Sequence, residues 1–263
     1  MNSLNSQNLT LTYENKTVID RLSVCIPDAR ITVLVGGNGC GKSTLLKSFA
    51  RLLKPAQGVV LLNGKDIQKQ PTSHVARELA ILPQGPVAPE GLSVYQLVRL
   101  GRYPHQSWLH QWSREDEDVV ETALQQTELT EIKDRSVDSL SGGQRQRAWI
   151  AMTLAQNTDI LLLDEPTTYL DLAHQIEVLD LLYELNRTKK KTIVMVLHDL
   201  NLACRYADNI IAIANKKIYA QGAPDTVLNE EMVRTVFQLE SRVINDPLYG
   251  TPMCVPISKA IET

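Results

Sequence analysis

A glycine-rich stretch at residues 36–44 constrains this chain more than any other segment. It fits the pattern G-x-x-x-x-G-K-[ST], which suits the phosphates of a nucleotide. An apolar β-type run at 31–35 precedes it, and apolar side chains recur at helical spacing behind it. The sequence therefore predicts a strand–loop–helix unit. Its phosphate loop consists of Gly36, Gly37, Asn38, Gly39, Cys40, Gly41, Lys42, Ser43 and Thr44.

The residue types of this loop indicate a nucleotide bound together with Mg²⁺. Glycines let successive backbone N–H groups turn towards one anion, and a helix N-terminus adds the positive end of its dipole. Lys42 can reach the β- and γ-phosphates, and the Ser43 hydroxyl can ligate Mg²⁺. The alternative is a Gly-rich turn that closes an ordinary βα unit, and the strand–loop–helix setting argues against it.

Two carboxylates follow a second buried-type strand. Residues 160–163 are continuously apolar, as expected of a strand buried on both faces of a parallel sheet. Ligands bind at the carboxyl edge of such sheets. Asp164 is placed to hold Mg²⁺ directly or through water, and Glu165 can polarise an attacking water as a general base. The alternative is a strand that simply ends in acids, which the phosphate loop in the same chain disfavours.

Residues 141–144 (Ser-Gly-Gly-Gln) offer a second place for an anion. Ser141 contributes a hydroxyl, and Gly142 and Gly143 contribute exposed N–H groups just before an amphipathic segment. Gln144 completes the motif, although Ser-Gly-Gly also suits a flexible loop. What counts is the order along the chain: the phosphate loop, then Gln84, the 141–144 segment, Asp164-Glu165 and His198.

In this order the motifs resemble those of ATP-binding-cassette (ABC) ATPases, over essentially the whole chain. The resemblance implies an α/β P-loop NTPase with a mainly parallel RecA-like sheet, an antiparallel β subdomain and a helical subdomain. One ABC domain would span residues 1–263. Its nucleotide-binding core would comprise about 1–84 and 157–263, and its helical, signature-bearing part about 85–156.

The same resemblance implies individual roles and a dimer that binds ATP and Mg²⁺. Tyr13 stands where the family stacks adenine, although it could equally be a strand aromatic that packs inward. Gln84 corresponds to the Q-loop, which contacts Mg²⁺ and the water and links to the partner subunit. Asp171 lies in a segment like the D-loop, and His198 resembles the switch histidine that contacts the γ-phosphate. Ser141 of one subunit would complete the ATP site of another.

Finer features resemble the ATPases of iron–siderophore, haem and cobalamin importers, in the segments 101–105, 166–175 and 250–256. Siderophore is the first choice, with haem, cobalamin or another metal chelate as the alternative. This implies permease subunits docked on about 84–112 and a periplasmic or lipoprotein substrate binder. The expected docking side chains are Tyr95, Leu97, Tyr103, Trp108 and Trp112.

The resemblance to importer ATPases implies a peripheral subunit on the cytoplasmic face of the cell membrane, and charge and hydropathy are compatible with it. A net charge of −3 gives no reason to expect nucleic acid as a partner. No apolar run approaches the ~18 residues that span a bilayer, and the first residues do not resemble a secretory signal. If the chain works at a membrane, we therefore expect another subunit to bring it there. The four cysteines lack metal-ligand spacing and favour a reducing cytosol.

Two other classes of protein share the phosphate loop. A soluble ABC protein of translation, DNA repair or iron–sulfur assembly is the first, but translation-type members usually carry two cassettes and repair-type members a long coiled coil. The second is a P-loop kinase or GTPase. The 141–144 motif and His198 argue against it, and no guanine-reading Asn-Lys-x-Asp occurs.

Overall fold

The computed structural model describes residues 3–13, 16–106, 112–168 and 170–258. These residues form two compact units. The first unit contains the described residues up to Lys69 and those from Thr192 onward, and the second contains Gln70–Lys191. Trp108 of the expected docking side chains and Tyr169 of the 166–175 segment lie outside the described residues.

The elements follow one another in three stretches of the chain. The first unit opens with β1 (Leu4–Tyr13), β2 (Lys16–Ile26), β3 (Ile31–Val35), α1 (Lys42–Phe49), β4 (Gln57–Leu62) and β5 (Lys65–Asp66). The second unit contains α2 (Thr72–Glu78), β6 (Leu79–Leu82), α3 (Val94–Arg99), α4 (Arg114–Gln126), α5 (Gly142–Ala155), β7 (Ile160–Leu163) and α6 (Leu172–Lys189). The first unit resumes with β8 (Thr192–Val196), α7 (Leu200–Tyr206), β9 (Asn209–Ala214), β10 (Lys217–Gly222), α8 (Pro224–Val227), α9 (Glu230–Phe237), β11 (Ser241–Asn245) and β12 (Pro252–Pro256). Short 3₁₀ turns at Ile67–Lys69, Leu100–His105, Thr130–Ile132 and Val137–Ser139 connect some of these elements.

An antiparallel sheet in the order β2-β1-β4-β5 forms one side of the first unit. Its strands alternate buried and exposed residues over much of their length, as expected of a sheet with one face on a core. β1 begins at Leu4, five residues before the alternation of apolar and polar residues at 9–13. The earlier residues pair with β2 and β4 although few of them are apolar, so periodicity alone misses them.

Parallel strands form the other part of the first unit. β3 lies between β8 and β9 and runs parallel to both, and β10 pairs antiparallel with β9. All five residues of β3 and of β8 are buried. This explains why both segments are apolar in the sequence apart from Thr32 and Thr192. The carboxyl ends of β3 and β8 therefore lie at the same edge, from which the phosphate loop leaves.

The second unit combines a parallel strand pair with the helices. β6 and β7 are paired in parallel from Leu79 with Ile160 to Leu82 with Leu163. An ion pair between Arg102 and Asp116, with Nε and Oδ1 2.8 Å apart, is buried among the helices. Arg102 Nη1 also donates to the carbonyl of Ala155, at 3.0 Å. The Leu100–His105 turn, α4 and the end of α5 are thereby joined.

The predicted combination of parallel strands, an antiparallel sheet and a helical part is confirmed. The compact units divide the chain at different places from the predicted subdomains, however. Residues 70–84 and 157–191 belong to the unit of helices, because β6 pairs with β7 and packs against α2 and α5. Within the described ranges, no helix has the length and hydropathy needed to cross a membrane.

Candidate functional site

The predicted phosphate loop joins the buried strand β3 to the start of α1. Gly36 has a φ of 151°, and a Cβ there would lie only 2.5 Å from the carbonyl oxygen of Ile213. Only glycine fits such a conformation at so close an approach. Gly41 is the N-cap of α1 in the left-handed region and has no side chain to cap the helix. The first N–H groups of a helix lack intrahelical acceptors, so an anion at this end suits them.

Lys42 lies folded over its own loop. Its Nζ donates hydrogen bonds to the carbonyl oxygens of Gly36, at 2.8 Å, and Gly37, at 3.1 Å. The residue is only 5% exposed, and the Cys40 sulfur lies 4.0 Å from its ammonium. Asn38 and Gly39 form the exposed tip, and Ser43 and Thr44 are half-buried in the first turn of α1. The ammonium of Lys42 is therefore held in place by the backbone carbonyls of its own loop.

Tyr13 ends strand β1 with its side chain directed out of the core. It is 59% exposed, so the alternative that it packs inward from its strand is wrong. The exposed ring is available for stacking, and the predicted contact with adenine stays a prediction.

His198 leaves the same sheet edge as the phosphate loop. The last residue pair of the two strands is Leu34 with Val196. The N–H of Leu197 donates to the carbonyl of Leu34, with N and O 3.4 Å apart. His198 follows as an exposed residue directly before Asp199, the N-cap of α7. The first unit thus brings the phosphate loop and His198 to the ends of two adjacent strands.

The second unit brings Gln84, Asp164 and Glu165 to one edge of the β6–β7 pair. The N–H of Asp164 donates to the carbonyl of Leu82, at 2.9 Å. Gln84 Nε2 donates to Glu165 Oε2 at 2.7 Å. The hydroxyl of Thr168 donates to the same carboxylate oxygen at 2.9 Å. The sequence analysis assigns no role to Thr168. Thr168 follows Glu165 by three residues, and this spacing alone does not show that the chain turns back towards the carboxylate.

The backbone of Glu165 is in the left-handed region, with a φ of 56°. A residue other than glycine rarely adopts this conformation, which costs roughly 1–3 kcal/mol. The turn aims a half-buried carboxylate at the two donors named above. The conformation directs the carboxylate but does not by itself single out Glu165, because eleven other described non-glycine residues also have a positive φ.

The predicted metal ligands fit Mg²⁺ by their chemistry. Asp164 is 2% exposed, and its carboxylate and the amide oxygen of Gln84 are hard oxygen donors of the kind that Mg²⁺ prefers. The hydroxyl of Ser43, in the first unit, is a donor of the same kind, and its predicted contact with Mg²⁺ stays a prediction. No cluster of three or more metal-binding His, Cys, Asp or Glu side chains occurs among the residues that the structure describes. Mg²⁺ is usually held by one or two carboxylates and completes its shell with phosphates and water, so a single buried carboxylate such as Asp164 is compatible with it.

The 141–144 segment starts helix α5 and is not a flexible loop. Ser141 is the N-cap, and its Oγ accepts from the N–H of Gln144 at 3.3 Å while Gln144 Oε1 accepts from the N–H of Ser141 at 3.2 Å. The cap uses the serine oxygen as an acceptor, which leaves its hydroxyl proton to donate to an anion. Ser141 and Gly142 are exposed, whereas Gly143 is buried.

Gly143 allows α5 to approach α6 closely. A Cβ at this position would lie 2.6 Å from Cδ2 of His174. The ring of His174 is in turn held by Asp171, the N-cap of α6. Asp171 Oδ1 lies 2.7 Å from His174 Nδ1 and accepts from the N–H of His174 at 3.0 Å. Hydrogen bonds from the backbone and then the ring of His174 lower the pKa of Asp171 from its ordinary value. The structure thus gives Asp171 a helix-capping role, and its predicted contact with ATP stays a prediction.

Comparison with known proteins identifies similar sequences along nearly the whole chain. Residues 19–168 match the ABC transporter family model. The petrobactin import ATP-binding protein FpuD of Bacillus anthracis is 62% identical, covering 98% of this chain and 94% of its own. The achromobactin transport ATP-binding protein CbrD of Dickeya dadantii is also 62% identical, covering 98% of this chain and 96% of its own. The ferric enterobactin transport ATP-binding protein FepC of Escherichia coli is 51% identical, covering 97% of this chain and 94% of its own.

Solved structures share the fold. A protein described as a metal-chelate type ABC transporter in an inward-facing conformation matches with a TM-score of 0.86 and 29% identity over 99% of both chains. The bacterial ABC transporter cassette MJ0796, solved as a dimer, matches with a TM-score of 0.74 and 26% identity over 84% of this chain and 98% of its own. The same cassette has been solved in a post-hydrolysis state bound to ADP and Pi.

Proposed function

This chain belongs to the ABC transporter family, and we propose that it is the ATP-hydrolysing subunit of an importer that carries iron–siderophore complexes across the cytoplasmic membrane. The observation that carries the proposal is the 62% identity, over 98% of the chain, to the ATP-binding proteins of petrobactin import and achromobactin transport. The 51% identity to the ferric enterobactin protein supports the same substrate class. Haem, cobalamin or another metal chelate remains the alternative cargo.

In the proposed reaction, the phosphate loop binds ATP and orients it. Lys42 and the loop N–H groups neutralise the phosphates, and Ser43, Gln84 and Asp164 would hold Mg²⁺. The metal ion, when bound, neutralises charge on the β- and γ-phosphates. Tyr13 stacks on adenine. A second copy of the chain would present the start of its helix α5 to the γ-phosphate. This helix start consists of Ser141, Gly142, Gly143 and Gln144 and is rich in N–H groups.

Glu165 acts as the general base in this proposal. Its carboxylate takes a proton from the attacking water as the oxygen of that water bonds to the γ-phosphorus and ADP leaves. The hydrogen bonds from Gln84 and Thr168 fix the orientation of the carboxylate, which a base needs because it must lie within hydrogen-bond reach of its proton. His198 contacts the γ-phosphate from the end of β8.

Transport tests the substrate class directly. We expect proteoliposomes containing this chain, its cognate permease and the cognate substrate binder to take up radiolabelled ferric siderophore when Mg-ATP is supplied. The Glu165→Gln variant serves as the control that separates driven uptake from passive binding. Uptake of haem or cobalamin but not of ferric siderophore would assign the chain to the alternative cargo.

We further propose a permease docking surface in the second unit, on the described residues 84–106 and Trp112. A groove with a volume of about 280 Å³ opens here, lined by Leu92, Gln96, Arg99, Leu100, Tyr103 and Gln106. Tyr103 is 78% exposed at its rim. An aromatic ring beside a partly apolar groove suits the apolar face of a partner helix. Docking here would hold the subunit at the cytoplasmic face of the membrane.

The other expected docking side chains differ in what they can contribute. Leu97 is fully buried and belongs to the core, because α3 turns it towards the helices behind. Tyr95 and Trp112 both donate hydrogen bonds to Glu117, and Arg99 lies over the Trp112 ring, 4.1 Å from its centre. Burial, followed by the Glu117 hydrogen bond, raises the pKa of Tyr95 to about 12. Tyr95 and Trp112 are therefore held in place by Glu117, whereas Tyr103 is exposed and available for contact with a partner.

We expect Tyr103→Ala to weaken permease binding about 10- to 100-fold, as loss of an aromatic anchor typically does. ATP hydrolysis by the isolated chain should not change, because the side chain is exposed. Binding to detergent-solubilised permease measures the effect, and hydrogen exchange should show protection within 84–106. Tyr219→Ala, on β10 of the first unit, is the matched control. Absence of protection throughout this segment, or an equal loss in the control, would contradict the docking surface.

A further inference from the structure

The C-terminal hairpin, residues 241–256, has no assigned part in the ATP chemistry. Its two strands pair in antiparallel register from Ser241 with Pro256 to Asn245 with Pro252. The hairpin packs on α7, the short helix that begins directly after His198 and Asp199. The hairpin is therefore placed to hold α7 in position.

The side chain of Asn201, in the first turn of α7, makes two hydrogen bonds to the backbone of the hairpin. They resemble the pair of hydrogen bonds that a neighbouring strand makes. Asn201 Nδ2 donates to the carbonyl of Cys254 at 3.2 Å. Its Oδ1 accepts from the N–H of the same residue at 2.8 Å. Cys254 is 6% exposed, so the loss of this side chain would leave two sheltered backbone groups without these partners, which is costly.

Arg205 makes a second attachment one turn further along α7. Residues four apart lie on the same face of a helix. Arg205 Nη2 donates to Asp246 Oδ2 at 2.7 Å, and its guanidinium lies 4.3 Å from the centre of the Tyr249 ring. Asp246 Oδ1 accepts from the N–H groups of Leu248 and Tyr249. The carboxylate of Asp246 therefore stabilises the turn of the hairpin and also binds Arg205 of α7.

The chain on both sides of His198 is thus anchored. On one side, Leu197 is bonded to Leu34 of β3. On the other side, Asp199 Oδ1 accepts from the N–H groups of Asn201, at 2.8 Å, and Leu202, at 2.9 Å. The Asp199 cap ties His198 to the first turn of α7. The residue that fastens this turn to the hairpin is Asn201.

We propose that the C-terminal hairpin positions His198 for ATP hydrolysis by fastening the first turn of α7 through Asn201 and Arg205. Asn201 is a positioning residue, since it acts on the nucleotide only through His198. The proposal rests on the function of His198 given above. Small displacements of a catalytic group cost up to ~10²-fold in rate, so a helix turn that shifts with the hairpin would change turnover more than ATP binding.

The test is the Asn201→Leu variant of the full chain, which removes both hydrogen bonds to Cys254 at similar side-chain volume. We expect kcat for Mg-ATP to fall about tenfold while KM stays within about twofold. Hydrogen exchange of the amides at 198–203 should become faster. The double variant with His198→Ala should hydrolyse ATP no more slowly than His198→Ala alone, because residues that act through one another are not additive. Should Asn201→Leu fail to fold, Asp246→Asn tests the Arg205 attachment by the same readouts.

Arg234→Ala is the matched control. It removes the Arg234–Glu240 ion pair, 2.8 Å long, which joins α9 to the residue before the hairpin and does not involve α7. It should leave kcat and exchange at 198–203 unchanged. An unchanged kcat in Asn201→Leu, or effects of Asn201→Leu and His198→Ala that multiply, would overturn the hairpin proposal alone. A normal kcat in His198→Ala would overturn it together with the proposed role of His198.

Discussion

Replacing Glu165 with Gln should lower ATP hydrolysis by ~10²-fold or more while ATP still binds. The substitution keeps the side-chain shape, and its amide oxygen can still accept from Gln84 and Thr168, which now donate to the carboxylate at 2.7 and 2.9 Å. It removes only the proton acceptor. The left-handed backbone at this residue is unchanged by a substitution of equal shape. A general base acts on water and not on the nucleotide, so under the proposed role of Glu165 the ATP affinity should be nearly unaltered.

Steady-state hydrolysis and equilibrium binding of ATP measure the two halves of this expectation. With the base removed, the dimer should stay closed on its ATP, which size-exclusion chromatography detects. Glu121→Gln is a suitable control, because Glu121 belongs to an ion pair with Lys133 in the helical unit, away from Glu165 in the chain. A Glu165→Gln protein with near-normal turnover would show that another group activates the water.

Lys42→Ala and Ser141→Arg should each abolish most hydrolysis in a pure protein, yet mixing the two should restore part of it. Removing Lys42 takes away the ammonium that lies at the phosphate loop. Arg at position 141 obstructs the start of α5, where the serine hydroxyl and the first helical N–H groups meet the predicted anion. If Ser141 completes the ATP site of the other subunit, one site in each heterodimer keeps both residues intact and the other carries both lesions.

The mixture is read out by ATP binding and turnover of tagged, purified heterodimers. One intact site should bind one ATP per heterodimer, and its turnover should exceed that of either homodimer. The dimeric MJ0796 cassette, which shares this fold, supports the choice of a dimer for the experiment. Heterodimers that bind no ATP would rule out action of Ser141 across the dimer.

The parts of the site that follow from residue type and local order could be predicted from the sequence. The phosphate loop requires glycines, lysine and serine at fixed spacing, and the continuous apolar run at 160–163 identified β7 as a buried strand. Polar residues directly after such strands then had to lie at a common edge, as Gln84 and Glu165 do. The start of α5 at Gly142 agreed with the expected helix start after Ser141.

What could not be predicted depends on contacts between residues far apart in the chain. Asn201 and Cys254 are separated by 53 residues, and neither belongs to a pattern that indicates pairing. Leu97 was expected at a surface, but helical spacing does not say which face of α3 meets the core. The burial of Gly143 against His174 is equally invisible, because a glycine in a motif is first interpreted as loop flexibility or phosphate contact.

The approach of Gly143 to His174 has a consequence for protein engineering. A single methyl group added at 143 would overlap the imidazole, which Asp171 holds in place. The segments 141–144 and 171–174 therefore behave as one module in chimeras: a donor sequence grafted into one segment alone brings a mismatched neighbour, whereas both segments taken from the same donor retain their fit. Libraries that vary the two positions jointly should contain functional combinations that libraries of single changes cannot reach.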